Sequence, residues 1–160
     1  MNEDRDRRYG VAAPEAVGGL TGLQILQAII DGRLPAPPIA RTLSFELVEA
    51  HEAFAAFEGE PGPHLLNPSG VVHGGWALTL IDSAAGCAAA SLLPAGVGYT
   101  TVETKANFVR PITPHSGRVR CEARVVGRGR RIMSCDAYVT SRDGQVLSHG
   151  TSTVVVLDPR

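Results

Sequence analysis

No excess of either charge sign marks this 160-residue chain: 15 lysines and arginines stand against 16 aspartates and glutamates, a formal net charge of −1. That balance removes any general electrostatic drive toward nucleic acid or an anionic membrane surface. Cysteine is scarce, and Cys87, Cys121 and Cys135 are odd in number without CxxC spacing, which argues against a disulfide framework and a zinc knuckle. If the strands bearing Cys121 and Cys135 pair around Arg128, the two thiols fall almost opposite each other; reducing conditions then favour two buried thiols over a bridge. The five histidines (His51, His64, His73, His115 and His149) are scattered, with no HExxH or i, i+4 pair, so no metal or other cofactor is expected. No apolar stretch follows the mixed-charge run from Met1 to Arg8, so it does not read as a secretory signal. The run from Trp76 to Leu93 approaches spanning length, but Asp82 and its many small residues make it a poor membrane helix. These absences point to a cytoplasmic protein.

What is present has the composition of an ordinary globule, 44% hydrophobic and 19% charged, long enough for one domain with a real core. Residues 1–18 read as a disordered tail. Between Gly19 and Gly32, apolar residues at three- and four-residue spacings predict an amphipathic helix that stops at Asp31-Gly32. Leu34-Pro35-Ala36-Pro37-Pro38 is too proline-rich for a helix or central strand, which makes 19–40 a helix with an extended connector, an appendage to the main core. Arg41 to Glu49 and Glu52 to Glu60 read as a strand pair. A long helix starts near Gly74, and four strands follow: Gly98 to Arg110, Gly117 to Gly127, Arg130 to Ser141 and Gln145 to Leu157. Turn residues at Gly127-Arg128-Gly129 and Arg142-Asp143-Gly144 join the last three into a meander. Strands, one apolar helix, then longer strands is an α+β arrangement in which the sheet wraps the helix.

The most informative stretch runs from Asn67 to Asp82. Asp82 is the only charge in a helix that is apolar on every side, and an interior holds a carboxylate only when it is paired, hydrogen-bonded or neutralised. It is therefore either a structural cap or a reagent. Backbone N–H groups at Gly74 and Gly75 open the same helix with the positive end of its dipole, which suits a developing oxyanion, and neither residue has a Cβ to keep a ligand away. At 1.5 Å per residue, Gly74 and Asp82 lie about 12 Å apart and cannot grip one atom. If Gly75 polarises a carbonyl that Asp82 attacks or hydrates, each site takes the helix start of one chain and the mid-helix carboxylate of another, which predicts a twofold dimer and an inactive monomer. Thr100 and Thr101 on the next strand are candidates for an orienting hydroxyl.

Asn67, Gly70, His73-Gly74-Gly75 and Asp82, followed by Thr-Thr-Val-Glu-Thr-Lys-Ala-Asn-Phe-Val-Arg-Pro over 100–111, resemble the hotdog-fold acyl-CoA thioesterases of the PaaI-like, phenylacetic acid degradation type. The resemblance covers Arg41 to Leu157. It implies a curved antiparallel sheet of five to six strands around one central helix, with a thioesterase domain over 41–157. It also implies hydrolysis of an aryl- or medium-chain acyl-CoA, with CoA entering only as part of the substrate, and homodimers sharing each site that pair into a dimer of dimers. Carried over by position, Asp82 is the general base or nucleophile and the Gly75 amide the oxyanion donor. Asn67 and His73 shape the loop and thioester pocket, and Thr101 positions water or Asp82, with Thr100 competing for that role.

Substrate contacts are also expected from Gly74, from Trp76, although an aromatic in the first turn of a buried helix is more often core, and from Arg128, Arg130 and Arg131. These arginines sit at the densest positive cluster, where guanidinium forks match the phosphates of CoA; the bland alternative is a strand's solvent face. A non-catalytic acyl-CoA binding or sensing module is the competing class. A hotdog dehydratase ranks third, because no histidine between Trp76 and Leu93 stands ready to move protons.

Overall fold

In the computed structural model, which describes residues 8–157, six strands form one antiparallel sheet. They are β1 (Phe45–His51), β2 (Phe54–Gly59), β3 (Tyr99–Phe108), β4 (Val119–Arg128), β5 (Ile132–Thr140) and β6 (Val146–Val156), in the order β1-β2-β4-β5-β6-β3. The helices are α1 (Pro14–Val17), α2 (Gly22–Ile30), α3 (Pro38–Thr42) and α4 (Gly74–Ala90). The curved sheet wraps α4, which touches every strand. This is the hotdog arrangement that the resemblance implies.

Residue alternation explains how the layers fit. Val119, Cys121 and Ala123 of β4 and Met133, Cys135, Ala137 and Val139 of β5 turn inward at every second position, as the strand period requires. They meet Leu80, Ile81, Ala84, Ala85, Ala88 and Ala89 of α4, all fully buried. The alanines let the helix lie close to the sheet, while Leu80 and Ile81 contribute about 1.5–3 kcal/mol each through burial. Gly150 of β6 supplies a second close approach, since a Cβ there would sit 2.1 Å from the Lys105 carbonyl oxygen of β3 and 3.2 Å from Ile81. Gly150→Ala is expected to destabilise the fold by about 1–3 kcal/mol through overpacking, read as a lower denaturant midpoint at unchanged m value.

Three expectations need correcting. First, the β4–β5 turn is displaced: β4 runs through Arg128 and the chain reverses over 129–132, where the Gly129 N–H donates to the Ile132 carbonyl at 2.8 Å. With a bulge between Val125 and Gly127, Cys135 faces Val125 and Cys121 faces Val139, so the two thiols are not opposite. Both are free and buried, and burial pushes the Cys135 thiol up to about 11.

Second, residues 8–18 of the expected tail carry α1 and a bridge between Tyr9 and Ala36, with the Gly10 N–H donating to Ala36 and the Ala36 N–H to Arg8. The rest of that tail, 1–7, lies outside the described residues. Third, the helix expected over Gly19 to Gly32 is no detached appendage. A capping box at Thr21 and Gln24 starts α2, whose Leu26 joins the main core and whose Gly22 lies against α4. The proline-rich connector ends in α3, because Pro38 at a first helical position removes an N–H that would have no partner anyway.

Candidate active site

The loop before α4 is built by Asn67. Its Oδ1 accepts from the Ser69 N–H at 2.9 Å and the Val71 N–H at 3.3 Å, an Asx turn, while its backbone N–H donates to Val71 and Gly70 takes a positive φ of 78°. The His73 N–H then donates to the Leu65 carbonyl at 2.8 Å, which fixes where α4 starts. His73 is the N-cap residue: its Nδ1 accepts from the Gly75 N–H at 2.9 Å. The supposed oxyanion donor is thus already engaged by its own neighbour, and a substrate oxygen must displace His73 Nδ1 to use it. Phe108, at the end of β3, lies against Gly74, where a Cβ would meet its ring at 2.8 Å.

Along α4, Gly75, Leu78, Thr79, Asp82, Ser83 and Cys87 are only half-buried, whereas Trp76, Ala77, Leu80, Ile81, Ala84 and Ala85 are buried. At three- and four-residue spacing the half-buried positions form one stripe. The helix expected to be buried on all sides therefore leaves one face open, and Asp82 is on it. The open stripe continues across β3, which among the described residues pairs only with β6 and exposes Val102 and Phe108.

The hydroxyl that meets Asp82 is Thr104, not Thr100 or Thr101. Thr104 Oγ1 donates to Asp82 Oδ1 at 3.1 Å and lies 2.9 Å from Ser152 Oγ, which donates to the Glu103 carbonyl at 3.0 Å. Thr101 Oγ1 lies 3.8 Å from a Cβ built on Gly86, one turn past Asp82, and Thr100 Oγ1 makes only a 3.5 Å contact with the Thr101 carbonyl. A β-bulge between Thr101 and Glu103 accounts for the difference, because it resets which β3 side chains face α4. No local sequence pattern announces such a bulge, and Thr104 follows Thr100 and Thr101 in the same strand without a mark that sets it apart.

Trp76 is corrected from pocket wall to core. Its indole N–H donates to the Leu43 carbonyl at 2.7 Å, and its ring lies where a Cβ on Gly59 would be, 2.7 Å away. Arg128, Arg130 and Arg131 are not brought to the Gly75 end either. Arg128 reaches the Leu92 carbonyl at 3.5 Å, at the far end of α4, about 25 Å from Gly74 by helix rise. Elsewhere in the cluster Arg118 pairs with Glu46 and Glu58, both at 3.3 Å, Arg120 pairs with Glu49, Glu58 and Glu122, and Arg124 lies over the Phe54 ring. Glu49 is held below the usual carboxylate range by its bonds to His51 and Arg120.

Two features thus stand apart along α4: a capped helix start covered by Phe108, and a carboxylate that accepts a hydrogen bond from a threonine. A six-stranded antiparallel sheet around such a helix defines the hotdog class. Within it, the thioesterase superfamily profile matches residues 69–148, half of the chain, and the chain belongs to that superfamily. A conserved protein from Pseudomonas aeruginosa is 30% identical, with 75% of this chain and 94% of that one covered at a TM-score of 0.70. A thioesterase family protein from Silicibacter pomeroyi is 29% identical over 75% and 89% at 0.69. A mutant of the phenylacetic acid degradation protein PaaI from Thermus thermophilus is 26% identical over 75% and 99% at 0.68. No curated protein gives a significant match. Among the described residues, no helix is long and apolar enough to cross a membrane.

Proposed function

We propose that the chain hydrolyses acyl-CoA thioesters as a homodimer with two composite sites. The carrying observation is Asp82: half-buried on the open stripe of α4, with Oδ1 taken by Thr104 and Oδ2 making no hydrogen bond among the described residues. A carboxylate that only capped the interior would be enclosed by donors; this one faces outward with an oxygen to spare. Two copies meeting along the stripe, with antiparallel α4 helices, bring Gly75 of one to Asp82 of the other, and the exposed apolar residues of β3 are covered in the same contact.

In this reading the thioester carbonyl oxygen replaces His73 Nδ1 as the acceptor for the Gly75 N–H, at the positive end of the helix dipole. Asp82 takes a proton from water while the water oxygen bonds to the carbonyl carbon. The C–S bond then breaks, and the proton passes to the departing CoA thiolate, leaving free acid and CoASH. Direct attack by the carboxylate is the variant route, through an anhydride that water cleaves. No resident cofactor is required.

Thr104 positions the carboxylate. Thr104→Val is expected to lower kcat about tenfold with KM for acyl-CoA within twofold, because it frees Asp82 to rotate without touching substrate; Thr104→Ser is expected to restore most of the rate. A KM effect as large as the kcat effect would instead place Thr104 in substrate binding. The function itself is tested by thiol release from aryl- and fatty-acyl-CoAs. Binding without release from any of them would replace the enzyme by an acyl-CoA binding module.

A further inference from the structure

The N-terminal segment lies outside the span matched by the superfamily, and nothing in the thioesterase reading uses it. It roofs a cavity of about 640 Å³ at the C-terminal half of α4. Val17 of α1 and Ile25, Leu26 and Ile29 of α2 form one wall, and Cys87 and Ala90 of α4 form the facing one. Every other lining residue is aliphatic, glycine or proline, apart from Tyr99. Among the described residues, no charged side chain lines it.

Two observations tie the cavity to the carboxylate. Cys87 is five residues past Asp82, about 7.5 Å along the helix, and Ala90 about 12 Å. Tyr99, at the start of β3, lines the same end, its ring 3.3 Å from a Cβ built on Gly86, the residue before Cys87. Desolvation first and the charge of Asp82 second push the Cys87 thiol up to about 12, and the Tyr99 phenol is raised by burial, Cys87 and Asp82. The end of the cavity lined by Cys87 and Tyr99 therefore lies within two helical turns of Asp82.

The roof is also held in register. Gly22 packs so tightly that a Cβ would sit 1.8 Å from the Ala90 carbonyl oxygen, and its N–H donates to Leu93 at 3.0 Å. The Tyr9–Ala36 bridge and the Leu34 N–H bond to Ala28 tie the segment's two ends together. A ligand there meets a defined apolar slot, of the size typical for small-molecule sites.

We propose that this cavity holds the alkyl tail of a fatty acyl thioester, so that the N-terminal segment, residues 9–37, sets the chain length accepted. The inference rests on the thioesterase reading for what it feeds, and deepens it by naming the substrate class: aliphatic acyl chains that run from Asp82 past Tyr99 under α2, in preference to short or aryl groups. A slot lined almost entirely by apolar side chains offers such a chain transfer from water and offers a polar acyl group few partners.

The test measures two properties separately: affinity for non-hydrolysable S-alkyl-CoA thioethers, from ethyl to dodecyl, and turnover of the matching acyl-CoAs and of phenylacetyl-CoA. Wild-type affinity is expected to rise about threefold to fourfold per methylene until the cavity is full. Ile25→Trp and, on the more exposed α1, Val17→Trp are expected to move that plateau to shorter chains and weaken decyl-CoA thioether binding at least tenfold. Ethyl-CoA thioether affinity should stay within twofold. Affinity independent of chain length in the wild type, or equal changes for ethyl and decyl in a folded variant, overturns the proposal. The Val17 variant decides if the Ile25 variant does not fold. Chain-length-dependent binding without turnover sinks the hydrolase reading and keeps the cavity; turnover without chain-length dependence does the reverse.

Discussion

Asp82→Asn is expected to abolish thioester hydrolysis while leaving the fold intact, with kcat down by about 10²–10⁴, the range of general acid–base catalysis. The substitution is nearly isosteric. Thr104 Oγ1 can still donate to the amide oxygen at the Oδ1 position, so the Ser152–Thr104 arrangement that tethers β3 and β6 to α4 survives. What disappears is basicity and nucleophilicity at the outward oxygen. An amide neither takes a proton from water nor attacks a carbonyl carbon at neutral pH, so KM should move little and the loss should fall on kcat. Thiol release read alongside a thermal melt separates this from unfolding. Undiminished hydrolysis in a folded Asp82→Asn protein would remove Asp82 from the mechanism.

Two inactive variants are expected to restore activity when mixed. Gly75→Val places a branched side chain where a Cβ already meets His73 Nδ1 at 2.9 Å, disturbing the cap and blocking the helix start. Asp82→Asn leaves that end intact. If each site joins the Gly75 end of one chain to Asp82 of the other, a mixed dimer contains one site with both defects and one with none. Random exchange of equal amounts makes about half the dimers mixed, and thus about a quarter of wild-type activity returns from two nearly dead proteins. Sites contained within one chain predict no recovery at any mixing ratio. Refolding the two variants together from denaturant, then assaying thiol release against each alone, distinguishes the outcomes. Recovery should also be lost on dilution below the dimer dissociation constant.

The long elements were legible because their signals are local. Strand periodicity placed β4, β5 and β6 within a few residues of their ends, and the apolar run with its glycine start placed α4. The resemblance carried by His73-Gly74-Gly75 and Asp82 led to the right fold and superfamily. Misreadings arose where contacts distant in sequence decide. The β4–β5 turn slipped by two residues because bulges are set by the partner strand, and the cysteine register slipped with it. The backbone of residues 8–10 is held by Ala36, more than twenty-five positions away, and no window of the tail contains it.

The amino-acid sequence by itself determined that one long apolar helix would hold a single carboxylate in need of a partner or solvent, and that the glycine-opened start of that helix lies about 12 Å from Asp82. Helix rise and the cost of burying charge are enough for both statements. Only the tertiary structure decided which hydroxyl meets Asp82, because a bulge in β3 turns Thr104 to the same helix-facing side as Thr101 and sets it against the carboxylate. It also decided that Trp76 belongs to the core, that His73 occupies the Gly75 amide, and that the N-terminal segment roofs an apolar cavity. Each depends on residues brought together by packing across the sheet, where the side-chain period of two makes a one-residue shift reverse every face.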